Sequence, residues 1–162
     1  MRKNKIITVA DLKRIREENE SIAFGTGCFD PLHSGHVGFF DQCRQFARTV
    51  VISVGSDAVL RKLKGGHQPF VPQANRAFLV SVVEGVDYVI IGGDEVGEDK
   101  IDFAHVVMDL KPNVFVLNDD DSAIDPKRAL CKRFGIKLEL VRRIPPTGIP
   151  AISSTDIRRS MS

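Results

Sequence analysis

Gly27-Cys28-Phe29-Asp30-Pro31-Leu32-His33-Ser34-Gly35-His36 decides the fold class of this chain, because it has the form of a junction between a strand and a helix. An apolar segment ending in glycines precedes it, and a segment with helical spacing follows over 37–47. The free N–H groups and positive dipole end of a helix N-terminus favour an anion. His33 and His36 are three residues apart there, so both can donate hydrogen bonds to one phosphate. Gly35 lacks a Cβ and lets a ligand approach the backbone.

The rest of the chain alternates between short apolar runs and helical stretches. Strands are predicted over 22–25, 50–54, 88–91, 114–117 and 138–141. Helices are predicted over 35–47, 56–62, 73–84, 100–110 and 126–134. Apolar runs that are continuous rather than alternating indicate a parallel sheet covered on both faces. The sequence therefore predicts an α/β fold: one doubly wound, Rossmann-like domain over 1–162, with about five parallel strands.

The two ends of the chain and its glycine- and proline-rich clusters complete this organisation. Thr8 and Asp11 form a capping box, which predicts a first helix through about Asn19 and makes 1–20 an N-terminal helical extension. The clusters at 64–72 and 144–150 are predicted to be loops within the domain rather than linkers.

Composition is typical of a compact, reduced, soluble protein. With 162 residues and 43% hydrophobic content, the chain can bury a core without disulfides or metal ions. The 23 basic and 21 acidic residues leave a net charge of +2, too small for a general nucleic-acid or membrane-surface binder. Cys28, Cys43 and Cys131 have no CxxC spacing, which speaks against a disulfide framework or a zinc site. No leader or membrane-length apolar run is evident, so a cytoplasmic location is expected.

A small basic loop follows the helix after the second strand. Its sequence is Arg61-Lys62-Leu63-Lys64-Gly65-Gly66, and taken alone it is most simply a solvated surface loop. Flexible ammonium groups also suit the diffuse charge of a polyphosphate, which makes Lys62 and Lys64 candidates for phosphate binding. Arg76 lies on the next helix, where a packing role and a functional role are about equally plausible.

A third segment, Ile152-Ser153-Ser154-Thr155-Asp156-Ile157-Arg158, lies near the C-terminus. Ser153 and Asp156 have the S-x-x-D form of a capping box, so a purely structural explanation exists. The hydroxyls of Ser154 and Thr155, the N–H groups of the helix start and the charge of Arg158 would also form an anion site.

These segments together resemble the cytidylyltransferase-like nucleotidyltransferases. The first is similar to the G-x-F-D-x-x-H-x-G-H signature of that family, and the third to its I-S-S-T-x-I-R or I-S-T-T motif. Lys62-Leu63-Lys64-Gly65 is similar to the K-x-L-K-G stretch of heptose-phosphate members, and Val86-Asp87-Tyr88-Val89 also matches them. Glycerol-phosphate cytidylyltransferases share the same frame. The resemblance covers 22–160 and implies transfer of a nucleoside monophosphate from ATP or CTP to a phosphorylated sugar or polyol, with release of pyrophosphate.

The resemblance also implies roles for individual residues. His33, His36, Lys62 and Lys64 are the expected catalytic residues, and Lys62 and Arg76 are expected at the acceptor phosphate. The expected nucleotide-binding residues are Gly27, Cys28, Phe29, His33, Gly35, His36, Lys64, Asp120, Ser153, Ser154, Thr155 and Arg158. Mg²⁺ would be held mainly through the nucleotide phosphates, without a metal site on the protein. Asp30 would either fix its loop by accepting backbone N–H groups or have a role linked to the metal. Family members are often homodimers, but no interface is apparent in this sequence.

Two departures from the family pattern leave the substrates open. The glycine-rich turn after the fourth strand is replaced by Leu117-Asn118-Asp119-Asp120-Asp121, where only Asp120 has a counterpart, so the acceptor is not identified. The R-T-x-G segment is replaced by 145–151, so ATP and CTP are not distinguished. Two alternatives stay open: a coenzyme-forming adenylyltransferase of the FAD, NAD or dephospho-coenzyme A type, and a nucleotide-binding regulator without catalysis.

Overall fold

A five-stranded parallel sheet forms the centre of the computed structural model, which describes residues 4–162. Residues 1–3 of the predicted domain lie outside the described residues. The strands are β1 (Ile22–Gly27), β2 (Thr49–Val54), β3 (Tyr88–Ile91), β4 (Val114–Asn118) and β5 (Lys137–Val141). Their order is β3-β2-β1-β4-β5 and every pair is parallel. The predicted doubly wound α/β fold and its five strands are confirmed.

Seven α-helices connect or flank these strands in the described part of the chain. They are α1 (Leu12–Glu18), α2 (Ser34–Phe46), α3 (Asp57–Leu63), α4 (Gln73–Ser81), α5 (Ala104–Leu110), α6 (Ile124–Phe134) and α7 (Ser154–Ser160). The prediction of a helix from residue 100 was wrong at its start. Lys100 has a φ of +58°, in the left-handed region that an α-helix does not use, so α5 begins only after it. Among residues 4–162, no helix is long and apolar enough to cross a membrane.

The N-terminal helix is built into the core. The predicted capping box is confirmed, because the Thr8 N–H donates to the Asp11 carboxylate at 2.9 Å. A 3₁₀ turn over Val9–Asp11 leads into α1, whose Leu12 and Ile15 are fully buried. The predicted extension is therefore helical over this stretch and covers one face of the sheet together with α5.

Apolar side chains cover both faces of the sheet, as the continuous apolar strands predicted. On one face, α1, α5 and α6 pack around Phe24, Phe103 and Phe115, whose ring centroids lie 5.2 to 5.7 Å apart. On the other face, α2 and α4 bury Phe40 and Val80 against the strands. Burial of this apolar surface on two sides is the main force that holds the layers together.

One fully buried arginine joins three loops at the carboxyl edge of the sheet. Arg76 on α4 donates through Nε to the Val71 carbonyl at 2.8 Å, and through one terminal nitrogen to the carbonyls of Cys28 and Gly55, both at 2.7 Å. Its other terminal nitrogen contacts the Asp57 carboxylate at 2.7 Å. The planar guanidinium supplies a fixed set of donors that the flexible, single ammonium of a lysine does not offer.

We expect Arg76→Lys to lower the free energy of unfolding by about 3 kcal/mol, since it breaks a buried pair and leaves buried carbonyls without donors. Urea unfolding followed by circular dichroism measures this change. Arg61→Lys is the matched control, because the Arg61 guanidinium contacts the exposed Gln68 side chain at 3.2 Å and the change should stay within about 0.5 kcal/mol. Equal losses in the two variants would contradict the structural role of Arg76.

Candidate active site

A cleft of about 640 Å³ opens at the carboxyl ends of the strands. In a doubly wound sheet this edge is where ligands bind, because the loops that follow neighbouring strands diverge there. The segments after all five strands and the start of α7 line the cleft. It brings together every residue that the sequence predicted for nucleotide binding: Gly27, Cys28, Phe29, His33, Gly35, His36, Lys64, Asp120, Ser153, Ser154, Thr155 and Arg158.

The two histidines hold the N-terminus of α2 through their Nδ1 atoms. His33 is the N-cap, and its Nδ1 accepts the Gly35 N–H at 3.1 Å. The Nδ1 of His36 accepts the His33 N–H at 3.2 Å, and the two rings stack with centroids 3.8 Å apart. A neutral imidazole that accepts through Nδ1 carries its proton on Nε2. The capping bonds therefore assign an Nε2–H donor to each ring.

Burial keeps both rings neutral. Burial, with smaller electrostatic contributions from His33 and Arg143, lowers the pKa of His36 to about 3. Burial also lowers the pKa of His33, again with a contribution from Arg143. Phe29 packs its ring against His36 in an edge-on arrangement, with centroids 5.0 Å apart, and is itself buried. At neutral pH the pair can therefore donate hydrogen bonds to an anion without carrying charge.

Two glycines of the motif are required by close approaches of these rings. A Cβ at Gly27 would lie 2.7 Å from the Phe29 ring, closer than real contacts allow. A Cβ at Gly35 would lie 3.0 Å from the His33 ring. Both positions therefore serve to place the aromatic side chains, in addition to exposing backbone to the cleft.

Asp30 fixes the neighbouring loop, as one of the two alternatives predicted. One carboxylate oxygen accepts the Phe70 N–H at 3.0 Å and the other accepts the Val71 N–H at 2.9 Å. Arg158 donates to the Asp30 carbonyl at 2.6 Å and lies over the Phe70 ring. The loop-fixing role is confirmed, and α7 is tied to the β1–α2 loop through the same residue.

The cleft contains five cations, and four of them have a protein partner. Lys127 contacts Asp121 at 2.7 Å, Arg143 contacts Asp120 at 2.7 Å, Lys100 donates to Ser122 at 2.9 Å, and Arg158 bonds to Asp30. Within residues 4–162, the ammonium of Lys64 has no hydrogen bond or ion pair to a side chain or carbonyl. Lys64 is the C-cap of α3 and is exposed at the cleft wall, where its charge is available to a ligand.

Lys62 and Arg76 do not line the cleft. The Lys62 ammonium contacts Glu95 at 3.1 Å, where the Lys62 side chain is half exposed and that of Glu95 almost fully exposed. Arg76 is buried beneath the loops with four hydrogen bonds, so the structure favours the packing role that the sequence left open. The phosphate-binding role of each remains a prediction.

The C-terminal segment combines a cap with an open helix end. Ser153 and Asp156 form the predicted capping box: the Ser153 hydroxyl donates to the carboxylate at 2.6 Å and accepts the Asp156 N–H at 3.1 Å. The Ser154 hydroxyl donates to the Pro31 carbonyl at 3.3 Å, which joins α7 to the loop before α2. Thr155 is exposed at the cleft. Of the three hydroxyls, that of Thr155 is thus the most accessible to an incoming phosphate.

Sequence reasoning missed Arg143. This residue follows β5 directly, faces the histidines closely enough to lower their pKa values, and lines the cleft. Its place directly after a predicted strand could have identified it, since residues that follow the carboxyl ends of parallel strands meet at one edge of the sheet. Lys100 and Asp102, in the segment after β3, and Lys127, on α6, also line the cleft and were not predicted from sequence.

Comparison with known proteins finds relatives of this chain. The sequence model of the family described as cytidylyltransferase-like matches residues 24–160. The chain is 31% identical to the bifunctional protein HldE of Geotalea uraniireducens over 86% of this chain and 27% of that protein. It is 34% identical to the bifunctional protein HldE of Streptomyces coelicolor over 75% of this chain and 25% of that protein. The chain thus spans about a quarter of the length of these curated relatives.

Solved structures show the same fold. A lipopolysaccharide core biosynthesis protein from Thermoplasma volcanium is 25% identical, with a TM-score of 0.63, over 77% of this chain and 97% of that one. The pantoate-beta-alanine ligase of Francisella tularensis, solved with an ATP derivative and beta-alanine, has a TM-score of 0.65 over 94% of this chain and 72% of that one. At 17% identity, the second likeness shows the fold alone.

The depressed pKa of His36 predicts how stability depends on pH. Because the unfolded chain binds a proton near pH 6.5 and the folded chain only near pH 3, the free energy of unfolding should fall as pH drops through this window. His36→Asn keeps an acceptor close to the Nδ1 position but does not titrate, so its loss of stability between pH 6.5 and 4.5 should be smaller. Urea unfolding at several pH values measures both slopes.

Asp102 contributes to the same window with the opposite sign, because burial raises the pKa of its carboxyl. It is present in both proteins, so the difference between their slopes isolates His36. Unchanged urea m-values are the control for an unaltered extent of unfolding. Equal pH slopes for the wild type and His36→Asn would contradict the assignment of a buried neutral ring.

Proposed function

Because the chain belongs to the cytidylyltransferase-like family, we propose that it transfers a nucleoside monophosphate from ATP or CTP to a phosphorylated sugar or polyol and releases pyrophosphate. The observation that carries this proposal is the pair of neutral histidines, His33 and His36, at the start of α2 inside a cation-rich cleft. The curated relatives, bifunctional HldE proteins, support a sugar phosphate as the acceptor class.

In the proposed reaction, an oxygen of the acceptor phosphate attacks the α-phosphorus of the nucleotide. The bond from that phosphorus to the oxygen bridging the α and β phosphates breaks, and its electron pair leaves with pyrophosphate. Such a transfer needs positioning and stabilisation of charge rather than a covalent intermediate. The Nε2–H groups of His33 and His36 would donate to the α and β phosphate oxygens as charge moves toward the leaving group.

Other cleft residues would bind the leaving pyrophosphate and the phosphate groups of the substrates. Thr155, the first N–H groups of α7 and Arg158 would bind the leaving pyrophosphate, since a helix start offers N–H groups without intrahelical acceptors. Lys64 would bind the acceptor phosphate or the triphosphate, because its ammonium is exposed at the cleft wall. Burial raises the pKa of the Cys28 thiol, which keeps this sulfur protonated and argues against a covalent role at neutral pH.

Mg²⁺ would enter with the nucleotide and neutralise charge on its phosphates. Residues 4–162 contain no group of three or more His, Cys, Asp or Glu side chains able to hold a metal ion. Three of the four cleft carboxylates, Asp30, Asp120 and Asp121, already accept hydrogen bonds or ion pairs from the protein. Burial raises the pKa of the fourth, Asp102, which disfavours its charged form. The residues therefore fit a cation bound mainly through phosphate oxygens, with the protein supplying donors around it.

Pyrophosphate release separates this function from its alternatives. ATP and CTP are tested separately against heptose phosphates, glycerol 3-phosphate, FMN, nicotinamide mononucleotide and phosphopantetheine. We expect release with a sugar or polyol phosphate, and His36→Asn should lower kcat by about a hundred- to a thousandfold because it removes one Nε2–H donor. Release only with one of the last three acceptors would instead identify a coenzyme-forming enzyme. Nucleotide binding without release would favour a regulator.

The two lysines of the basic loop form a matched pair. Lys64→Ala should lower kcat/KM by about a hundredfold or more, because it removes a charge from the phosphate site. Lys62→Ala removes an equal charge that contacts Glu95 outside the cleft, and we expect less than about a threefold change. Steady-state kinetics of both variants measure this contrast, with circular dichroism as the control for folding. A larger effect of Lys62→Ala would restore the role that the sequence predicted for it.

A further inference from the structure

Two buried side-chain oxygens in residues 4–162 have no hydrogen-bond partner, and both lie in the cleft. They are the hydroxyl of Ser53 on β2 and the amide oxygen of Asn118 at the end of β4. Ser53 is only 2% exposed. A buried polar group without a partner costs stability, so proteins rarely keep one unless something else bonds to it. Both oxygens lie in one cleft, where an entering ligand can supply the missing hydrogen bond.

Ser53 lies apart from the histidines, on the other face of the sheet. Strand side chains alternate between faces, and Val51, two residues earlier, packs with the α1 and α5 layer. Ser53 therefore faces that layer, whereas α2, which carries His36, covers the opposite face. The cleft thus has a second lobe, next to the start of α5, which none of the three phosphate-binding motifs of the sequence accounts for.

The Asp102 carboxylate lies against the backbone of Gly92 in this lobe. A Cβ at Gly92 would lie 2.3 Å from the Asp102 Oδ2 and 3.5 Å from the Ser53 Oγ. The two oxygens therefore lie close to the same backbone position. Only glycine allows the Asp102 carboxylate to approach the backbone so closely. Burial raises the pKa of this carboxyl, and Phe103 beside it is buried in the core. The hydroxyl is therefore shielded from solvent, and the carboxylate is partly so.

The charges of this lobe nearly balance. Lys127, which is 7% exposed, contacts Asp121 at 2.7 Å, and Lys100 donates to Ser122 at 2.9 Å, which links the β3–α5 loop to the β4–α6 loop. With Asp102 added, the lobe has two cations and two carboxylates. A second phosphate would meet as much repulsion as attraction here. A group of neutral hydroxyls, each both donor and acceptor, matches such a mixture.

We propose that Ser53 and Asp102 form a specificity subsite that binds the hydroxyl groups of the acceptor, while its phosphate lies toward Lys64. This inference rests on the proposed transfer and adds the residues that select a polyol. A site built to hydrogen-bond a hydroxyl discriminates strongly against an acceptor that lacks it, because its own polar groups then remain unpaired. The subsite would therefore disfavour acceptors whose non-phosphate part is largely apolar.

The test uses Ser53→Ala and Asp102→Asn in the full chain, with whichever acceptor supports pyrophosphate release. Ser53→Ala should raise the acceptor KM by about tenfold, as the loss of one hydrogen bond implies, with the nucleotide KM unchanged. Asp102→Asn should also raise the acceptor KM, because it replaces a charge-assisted hydrogen bond with a neutral one. Ser53→Ala should also unfold at an equal or higher urea concentration, because it removes an unpaired buried hydroxyl. Ser81→Ala is the control: its hydroxyl donates to the Phe78 carbonyl at 2.7 Å outside the cleft.

A deoxy analogue of the acceptor provides the decisive comparison. If Ser53 binds a hydroxyl, the penalty of Ser53→Ala should disappear with the analogue that lacks that hydroxyl. Equal acceptor KM values for wild type and both variants would overturn the subsite while leaving the transfer intact.

If no acceptor supports pyrophosphate release, the proposed transfer is contradicted. The subsite is then tested separately, by calorimetric measurement of heptose 1-phosphate and glycerol 3-phosphate binding to wild type and Ser53→Ala. Binding weakened about tenfold in the variant would support it. Equal binding, or no binding to either protein, would overturn it.

Discussion

The buried guanidinium of Arg76 is the constraint on which the carboxyl edge of this sheet depends. Loops after parallel strands have no ladder to hold them, so their backbone oxygens need other donors. Arg76 supplies donors to the loop after β1, the loop after β2 and the segment before α4 at once. Asp30 complements it by accepting two N–H groups of the same segment. The cleft wall is therefore fixed by buried polar bonds before any ligand binds.

This fixed wall explains how the histidine pair can be both structural and chemical. Each ring uses Nδ1 to cap α2, and the cap determines which nitrogen carries the proton. Burial against Phe29 and stacking between the rings disfavour the imidazolium form, so the pair carries no charge that would need solvent. An anion at the helix start then meets neutral donors and a positive dipole end, with cations arranged further out. Preorganised donors of this kind need no rearrangement as charge develops.

Most of the fold could be predicted from sequence because its signals are local. Apolar runs identified all five strands, and two capping boxes identified helix starts. The errors concern residues whose position is set by contacts between segments that are distant in sequence. Lys62 and Lys64 are indistinguishable in sequence, yet α3 ends between them, so one lies on its outer face and the other at the cleft wall. Arg143 was missed because its neighbours in space, Asp120 after β4 and His36 on α2, are distant in sequence.

The polar residues around the cleft differ in how many hydrogen bonds they make, and this difference separates framework residues from candidate ligand-binding residues. Arg76 and Asp30 have partners at nearly every donor or acceptor position, which is what a framework requires. Ser53 and Asn118 have none among the described residues, although burial makes that costly. Replacing Ser53 with alanine would remove this cost, since no described residue bonds to its hydroxyl. Ser53 lies beside Asp102 in the cleft, where an entering ligand can supply the missing hydrogen bond.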